Sequence, residues 1–209
     1  TFTGCEVDDD ADADAGASTS STSTSTSTSG TVQTFAKYFY VKIEDHSDLT
    51  TGEDPGADIA GIVLTNAGGG TAFATEVVDY SPNAANLSDL SRQDALLGAP
   101  TASFPSWESG DSTTCDVTSA NFTPLGGAGG YIIVSFTESI DDGDQLDVYE
   151  VGNCAFDGGE AKPDPVTVSV SVASDPDGAW TAIAGGTGAD GEGPVVSSGT
   201  ISGLPQIPL

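Results

Sequence analysis

Apolar and polar positions alternate along much of this chain with a period of two. The clearest run is PVTVSVSVAS. Val166, Val168, Val170 and Val172 fall on one side of an extended segment, and Thr167, Ser169 and Ser171 on the other. Successive side chains of a strand point to opposite faces, so the run predicts a half-buried antiparallel strand, valines to the core and hydroxyls to solvent. TFAKYFYVKIED, DIAGIVLTN, TAFATEVVDY, YIIVSFT and QLDVYEVG read as further strands. Gly68-Gly69-Gly70 splits two of them, ESIDDGD joins two more, and DPDGAW is a turn after the valine strand, with Trp180 expected to cap the core. Only SDLSRQDALLG has helical spacing, and it is short. Many short strands with Gly and Pro turns predict an all-β fold, an antiparallel β-sandwich or jelly roll, over residues 31–209. That length suffices for a single domain with a sizeable core.

Residues 1–30 obey a different rule. EVDDDADADAG is an acidic spacer, and ASTSSTSTSTSTSG (17–30) is serine and threonine between its end residues. Such an arm buries no apolar surface and has no reason to fold alone. Alternation places threonine methyls on one side and serine hydroxyls on the other, and threonine favours strands, so the tract suits addition to an exposed sheet edge. Dense hydroxyls are also acceptors for O-linked sugars, with Thr19, Thr22, Thr24, Thr26 and Thr28 as candidate sites. Asn86-Leu-Ser88 and Asn121-Phe-Thr123 are N-glycosylation sequons.

Charge narrows the choice of partner. Four Lys and Arg stand against 32 Asp and Glu, a formal charge of −28. Nucleic-acid binding requires a basic surface, and anionic membranes are disfavoured on the same ground. No run of about 18 apolar residues is present, so no membrane span is expected. The acidity implies solubility and, locally, divalent cations. Asp141, Asp142 and Asp144 surround a glycine turn with Asp147 and Glu150 downstream, and Asp45 and Asp58 form a second group with Glu44 and Asp48. Ca²⁺ takes about six to eight oxygens from carboxylates and carbonyls on turning backbone, so it is the candidate cofactor.

The cysteines are Cys5, Cys115 and Cys154, none in a CxxC pair, which argues against zinc. Cys115 and Cys154 lie in the predicted domain and are the candidate disulfide. Closing that loop would stabilise by about 3–4 kcal/mol in the chain-entropy model and implies an oxidising, extracellular setting. Cys5 has three readings: a free thiol, an intermolecular bridge, or a lipid attachment, the last because TFTGC resembles the end of a bacterial lipoprotein signal. The chain contains no Met and is read as a mature product with its targeting segment removed.

ALLGAP, then PLGGAGGYIIVSFTESIDDGDQLDVYEVG, then VTVSVSVASDPDGAWTAIAGGTG resemble a secreted bacterial module similar to discoidin or galactose-binding-like jelly rolls of cell-surface proteins. In that family a YVRIxD strand followed by GADIDAV closes the domain. Here YFYVKIEDHSDLTTGEDPGADIAGIVL resembles it but comes first, with Ala60 where the family pattern has its second Asp. The resemblance implies a permuted order. A strand whose neighbour lies at the other end of the chain can pair between chains as well as within one. It also implies glycan recognition, for which Trp107, Trp180, Tyr149 and Tyr80 are the candidate aromatics.

Catalysis finds little purchase. His46 is the single histidine, no GxSxG is present, and GGAGG and GGTG lack the Lys and Ser/Thr of a phosphate loop. Acids are too abundant for any one pair to point to glycoside hydrolysis. The chain is therefore expected to be a non-enzymatic structural subunit of an extracellular filament or surface matrix, a homopolymer associating through its arm. The alternative is a tethered glycan-binding or adhesive module. The tail SGLPQIPL carries Leu204, Ile207 and Leu209, apolar positions expected to pack in the same way as the arm.

Overall fold

The structure, a computed structural model, describes residues 33–48, 56–83, 87, 92–100, 122–150, 155–157, 160–162, 166–188 and 195–209. The chain divides into two units, Thr1–Gln33 and Thr34–Leu209. The second unit is an antiparallel β-sandwich, and the described residues contain no α-helix.

Its strands are β1 (Tyr38–Asp45), β2 (Asp58–Thr65), β3 (Thr71–Phe73), β4 (Glu76–Ser81), β5 (Thr123–Pro124), β6 (Tyr131–Ile140), β7 (Gln145–Glu150), β8 (Ala155–Asp157), β9 (Glu160–Lys162), β10 (Val166–Ala173), β11 (Thr181–Gly188) and β12 (Val195–Thr200). The first sheet has the order β11-β10-β1-β6-β4. The second runs β12-β7-β2-β3, with β5 paired to β2, and β8 and β9 make a separate hairpin. β1 therefore lies between β6 and β10, and the first strand of the sandwich pairs with one from near the other end of the chain.

The period of two places the core. Val166, Val168, Val170 and Val172 are at most 2% exposed, while Thr167, Ser169 and Ser171 stay partly open. Val172 and Val170 face Val41 and Ile43 of β1, which in turn face Val134 and Ile132 of β6. Ile62 and Leu64 of β2 lie opposite Val148 and Leu146 of β7, and all of these side chains join one buried cluster. Each such side chain contributes roughly 1.5–3 kcal/mol by leaving water, and this burial holds the sheets face to face.

Two elements differ from the sequence expectation. TAFATEVVDY is not one strand: β3 belongs to the second sheet and β4 to the first. The chain changes sheets at the buried Ala74, and the next residue, Thr75, donates its amide to the Ser135 carbonyl. The helical spacing of SDLSRQDALLG yields, over its described part, i→i+3 turns, from Ala95 to Arg92 and from Leu97 to Asp94. Leu96 drops into the core there and Gly98 donates to the Ala74 carbonyl, so the segment closes the crossing point.

The predicted turn at Gly68-Gly69-Gly70 is organised by Asn66. Its side-chain oxygen accepts from the Gly68 and Gly70 amides, while Gly69 adopts a φ of 86°. Trp180 is half-buried beside the β10–β11 turn.

After β12 the chain forms a strap across one end of the sandwich. Ile201 exchanges backbone hydrogen bonds with the β6–β7 turn, from Gly143 to its carbonyl and from its own amide to Asp144. Leu204 is buried in the core cluster. Tyr38 donates its hydroxyl to the Pro205 carbonyl. Phe35 then bridges Pro208 antiparallel, with Ala36 donating to Ile207 and Leu209 donating to Thr34. That pattern makes Phe35 and Pro208 a non-hydrogen-bonded pair, where neither residue's own N–H is needed, so proline fits.

Candidate functional site

The acidic turn between β6 and β7 holds the chain's own backbone. Asp144 is 3% exposed; Oδ1 accepts from the Ala67 amide (3.1 Å) and Oδ2 from the Asp141 amide (2.9 Å). Asp142 Oδ1 accepts from the Leu204 amide of the strap (2.9 Å), and Asp141 Oδ2 from the Ser139 hydroxyl (2.9 Å). Short carboxylate side chains that accept nearby amides fold a turn tightly. A cation here would compete with those amides for the same oxygens.

Asp147 stands apart from this turn. It lies on the outer face of the second sheet and accepts from Gln145 Nε2 and the Ser198 hydroxyl, joining β7 to β12.

Asp45 ends β1 at a core-facing position with no exposed surface. Its Oδ1 accepts from Ser47 (2.8 Å), and Oδ2 accepts from Ala57 (2.7 Å) and Gly127 (3.1 Å). Three backbone segments thus converge on one carboxylate, which satisfies amides that would otherwise be buried and unmade. The GGAGG loop wraps it further: Asp45 donates its amide to Gly130, and Gly129 donates to the Asp45 carbonyl. Gly56 approaches so closely that a Cβ there would lie 2.4 Å from Asp45 Oδ2 and 2.2 Å from the Gly127 nitrogen. Asp58 follows Ala57 into β2 and is half-buried, with its amide donating to Glu150 Oε1. Among the described residues, no three His, Cys, Asp or Glu side chains form a group able to hold a metal ion.

The outer face of the five-stranded sheet carries a polar and aromatic row. In register from β4 to β10 one line runs Ser81, Tyr131, Glu44 and Ser169, and the next runs Asp79, Ile133, Lys42 and Ser171, with the buried Ile133 between the two charged side chains. Lys42 lies over the Tyr131 ring, 4.7 Å from its centroid, and pairs with Glu44 at 2.9 Å. The Tyr131 hydroxyl donates to Asp79 Oδ2 at 2.8 Å. That bond, with burial second, pushes the phenol above its ordinary pKa, because the neutral hydroxyl is the donor the carboxylate prefers. His46 Nε2 lies 2.8 Å from Ser169 Oγ at the same end of β1.

Of the aromatics proposed for glycan recognition, Tyr80 points to the core side and gives its hydroxyl to the Pro124 carbonyl, and Trp180 is half-buried. Tyr149 is half-buried on the outer face of the second sheet, where its backbone partner is Gly61. Trp107, Cys5, Cys115, Cys154, Asn86, Asn121 and the threonines of the arm lie outside the described residues. Sequence reasoning did not single out Tyr131. Its place on the polar side of YIIVSFT was legible, but the Lys42 and Asp79 beside it come from strands far away in the chain.

No helix among the described residues is long and apolar enough to cross a membrane. Comparison with family models, with curated proteins and with solved structures finds no match to the chain.

Proposed function

We propose that the chain is a non-enzymatic structural subunit of an extracellular filament or surface matrix, self-associating through its N-terminal arm. The observation that carries this reading is the pairing of residues 34–36 with 207–209: where the arm joins the sandwich, the backbone is already extended and laddered. The Ser/Thr tract behind it is uncharged and strand-favouring. β11 and β12 run close to each other where the two sheets meet, which leaves β4 and β3 as the outer strands at the other side, and a sheet edge is a template for a further strand. Electron microscopy of the full chain and of a variant lacking residues 1–33 tests this. Filaments or ordered oligomers from the full chain alone are expected. Polymers from the shortened variant would overturn the role of the arm.

A second reading, a tethered glycan-binding or adhesive module, is favoured by one observation. Tyr131 lies half-buried on the outer sheet face between a cation and a carboxylate, the combination of ring and hydrogen-bonding groups that sugars use. Binding to a glycan array that disappears on Tyr131→Ala would support it, and an array with no signal would remove it.

A further inference from the structure

The strap from Ile201 to Leu209 is held unevenly along its length. Its first part is locked: Ile201 and Leu204 are buried, and the backbone there is tied to Gly143, to Asp144 and to the Asp142 carboxylate. Beyond Leu204 the ties are the Tyr38 hydroxyl on Pro205 and two backbone hydrogen bonds to residues 34 and 36. Ile207 is 40% and Leu209 85% exposed, and Phe35 opposite is 38% exposed. The fourth large hydrophobic exposed among the described residues is Val78, so apolar surface still available for burial is concentrated at this ribbon.

The geometry points to exchange of this distal strap between copies: residues 205–209 of one chain pair with residues 34–36 of the next, in the register seen within one chain. This inference rests on the self-association proposed above and names the joint through which it is made. Three features favour it. The exchanged bonds are those the single chain already makes, so breaking and remaking them costs little at equilibrium. Pro205 and Pro208 keep a released segment extended, which lowers the entropy lost on re-pairing. Charge permits the approach: residues 194–209 and 17–36 contain no charged side chain on a molecule carrying −28. Because the donor strap and the acceptor residues are different surfaces, the exchange is either reciprocal within a pair of chains or head to tail along a row of subunits, and the same register forms in both. Two backbone hydrogen bonds do not hold either assembly together by themselves. The joint supplies register, and the arm that continues from it supplies the area a stable contact needs.

Cross-linking between different chains tests the proposal. A non-hydrogen-bonded antiparallel pair has the spacing a disulfide requires. A chain with Phe35→Cys is mixed with a chain carrying Pro208→Cys under assembly conditions, oxidised, digested and examined by mass spectrometry, which separates the new link from any made by the natural cysteines. A chain carrying both substitutions is the internal standard. The expected result is a disulfide joining positions 35 and 208 of different chains, together with loss of the assembled fraction in a variant ending at Leu204, which keeps the buried part of the strap. Assemblies that contain no interchain link, while the doubly substituted chain closes on itself, would overturn the exchange and leave association through the arm standing. Absence of any assembly would overturn both.

Discussion

Asp45 accepts a hydrogen bond from the amide of Gly127, 82 residues further along the chain, at 3.1 Å. Through the same carboxylate the Ser47 and Ala57 amides are satisfied, so one side chain joins the end of β1, the start of β2 and the glycine loop before β6. Removing it leaves several buried donors without an acceptor. Asp45→Ala is expected to destabilise the sandwich by about 3 kcal/mol or more. Asp45→Asn, which keeps one acceptor oxygen, should cost less. Urea unfolding followed by tryptophan fluorescence measures both.

Gly56 faces the same carboxylate with a φ of 93°. Gly56→Ala puts a methyl against backbone and imposes a conformation L-residues avoid, so a loss of at least about 2 kcal/mol is expected. Gly69→Ala is the control. Its φ is also positive, at 86°, but nothing lies near its Cβ position, and about 1 kcal/mol should be lost there.

The two faces of β10 separate packing from surface chemistry. Val170→Ala should cost roughly 2 kcal/mol through lost burial and the space left behind. Ser171→Ala on the opposite face should stay within about 0.5 kcal/mol of the parent. Thermal unfolding of the two variants checks the assignment of faces.

Tyr131 gives a pH-dependent signal. Its folded-state pKa lies above the unfolded value, chiefly through the hydrogen bond to Asp79. The folded state therefore holds the phenol proton more firmly. The stability this contributes is present below a pH of about 10 and is lost as the pH rises through the folded-state value. The tyrosinate absorbance difference between the parent and Tyr131→Phe should titrate above the ordinary tyrosine range, and Asp79→Asn should bring it back toward that range. No change with Asp79→Asn would remove the hydrogen bond as the cause.

The legible part of the fold was the part written locally. Valines at every second position of PVTVSVSVAS decided which side is buried, and Gly68-Gly69-Gly70 and DPDGAW fell at turns, because strand period and turn chemistry act between near neighbours. What depends on distant contacts was not legible. TAFATEVVDY has one uninterrupted strand pattern, and only the two sheets it must cover divide it at Ala74. Asp45 reads as one more acid in EDHSD, yet it points to the core because it continues the inward series of Val41 and Ile43. Asp142 and Asp144 have the composition of a cation loop, but their hydrogen bonds from the amides of Leu204, Ala67 and Asp141 come from the fold and the turn and carry no local signal. The Tyr131 site needs side chains from β1, β4 and β6, which no local pattern brings together.

Copies of this chain that join through the arm and its root form larger species as their concentration rises. Sedimentation velocity over a rising concentration series, comparing the full chain with residues 34–209, tests this most directly. Species that grow with concentration are expected for the full chain, and a constant monomer for the shortened one. A full chain that sediments as a single monomer at every concentration would contradict it.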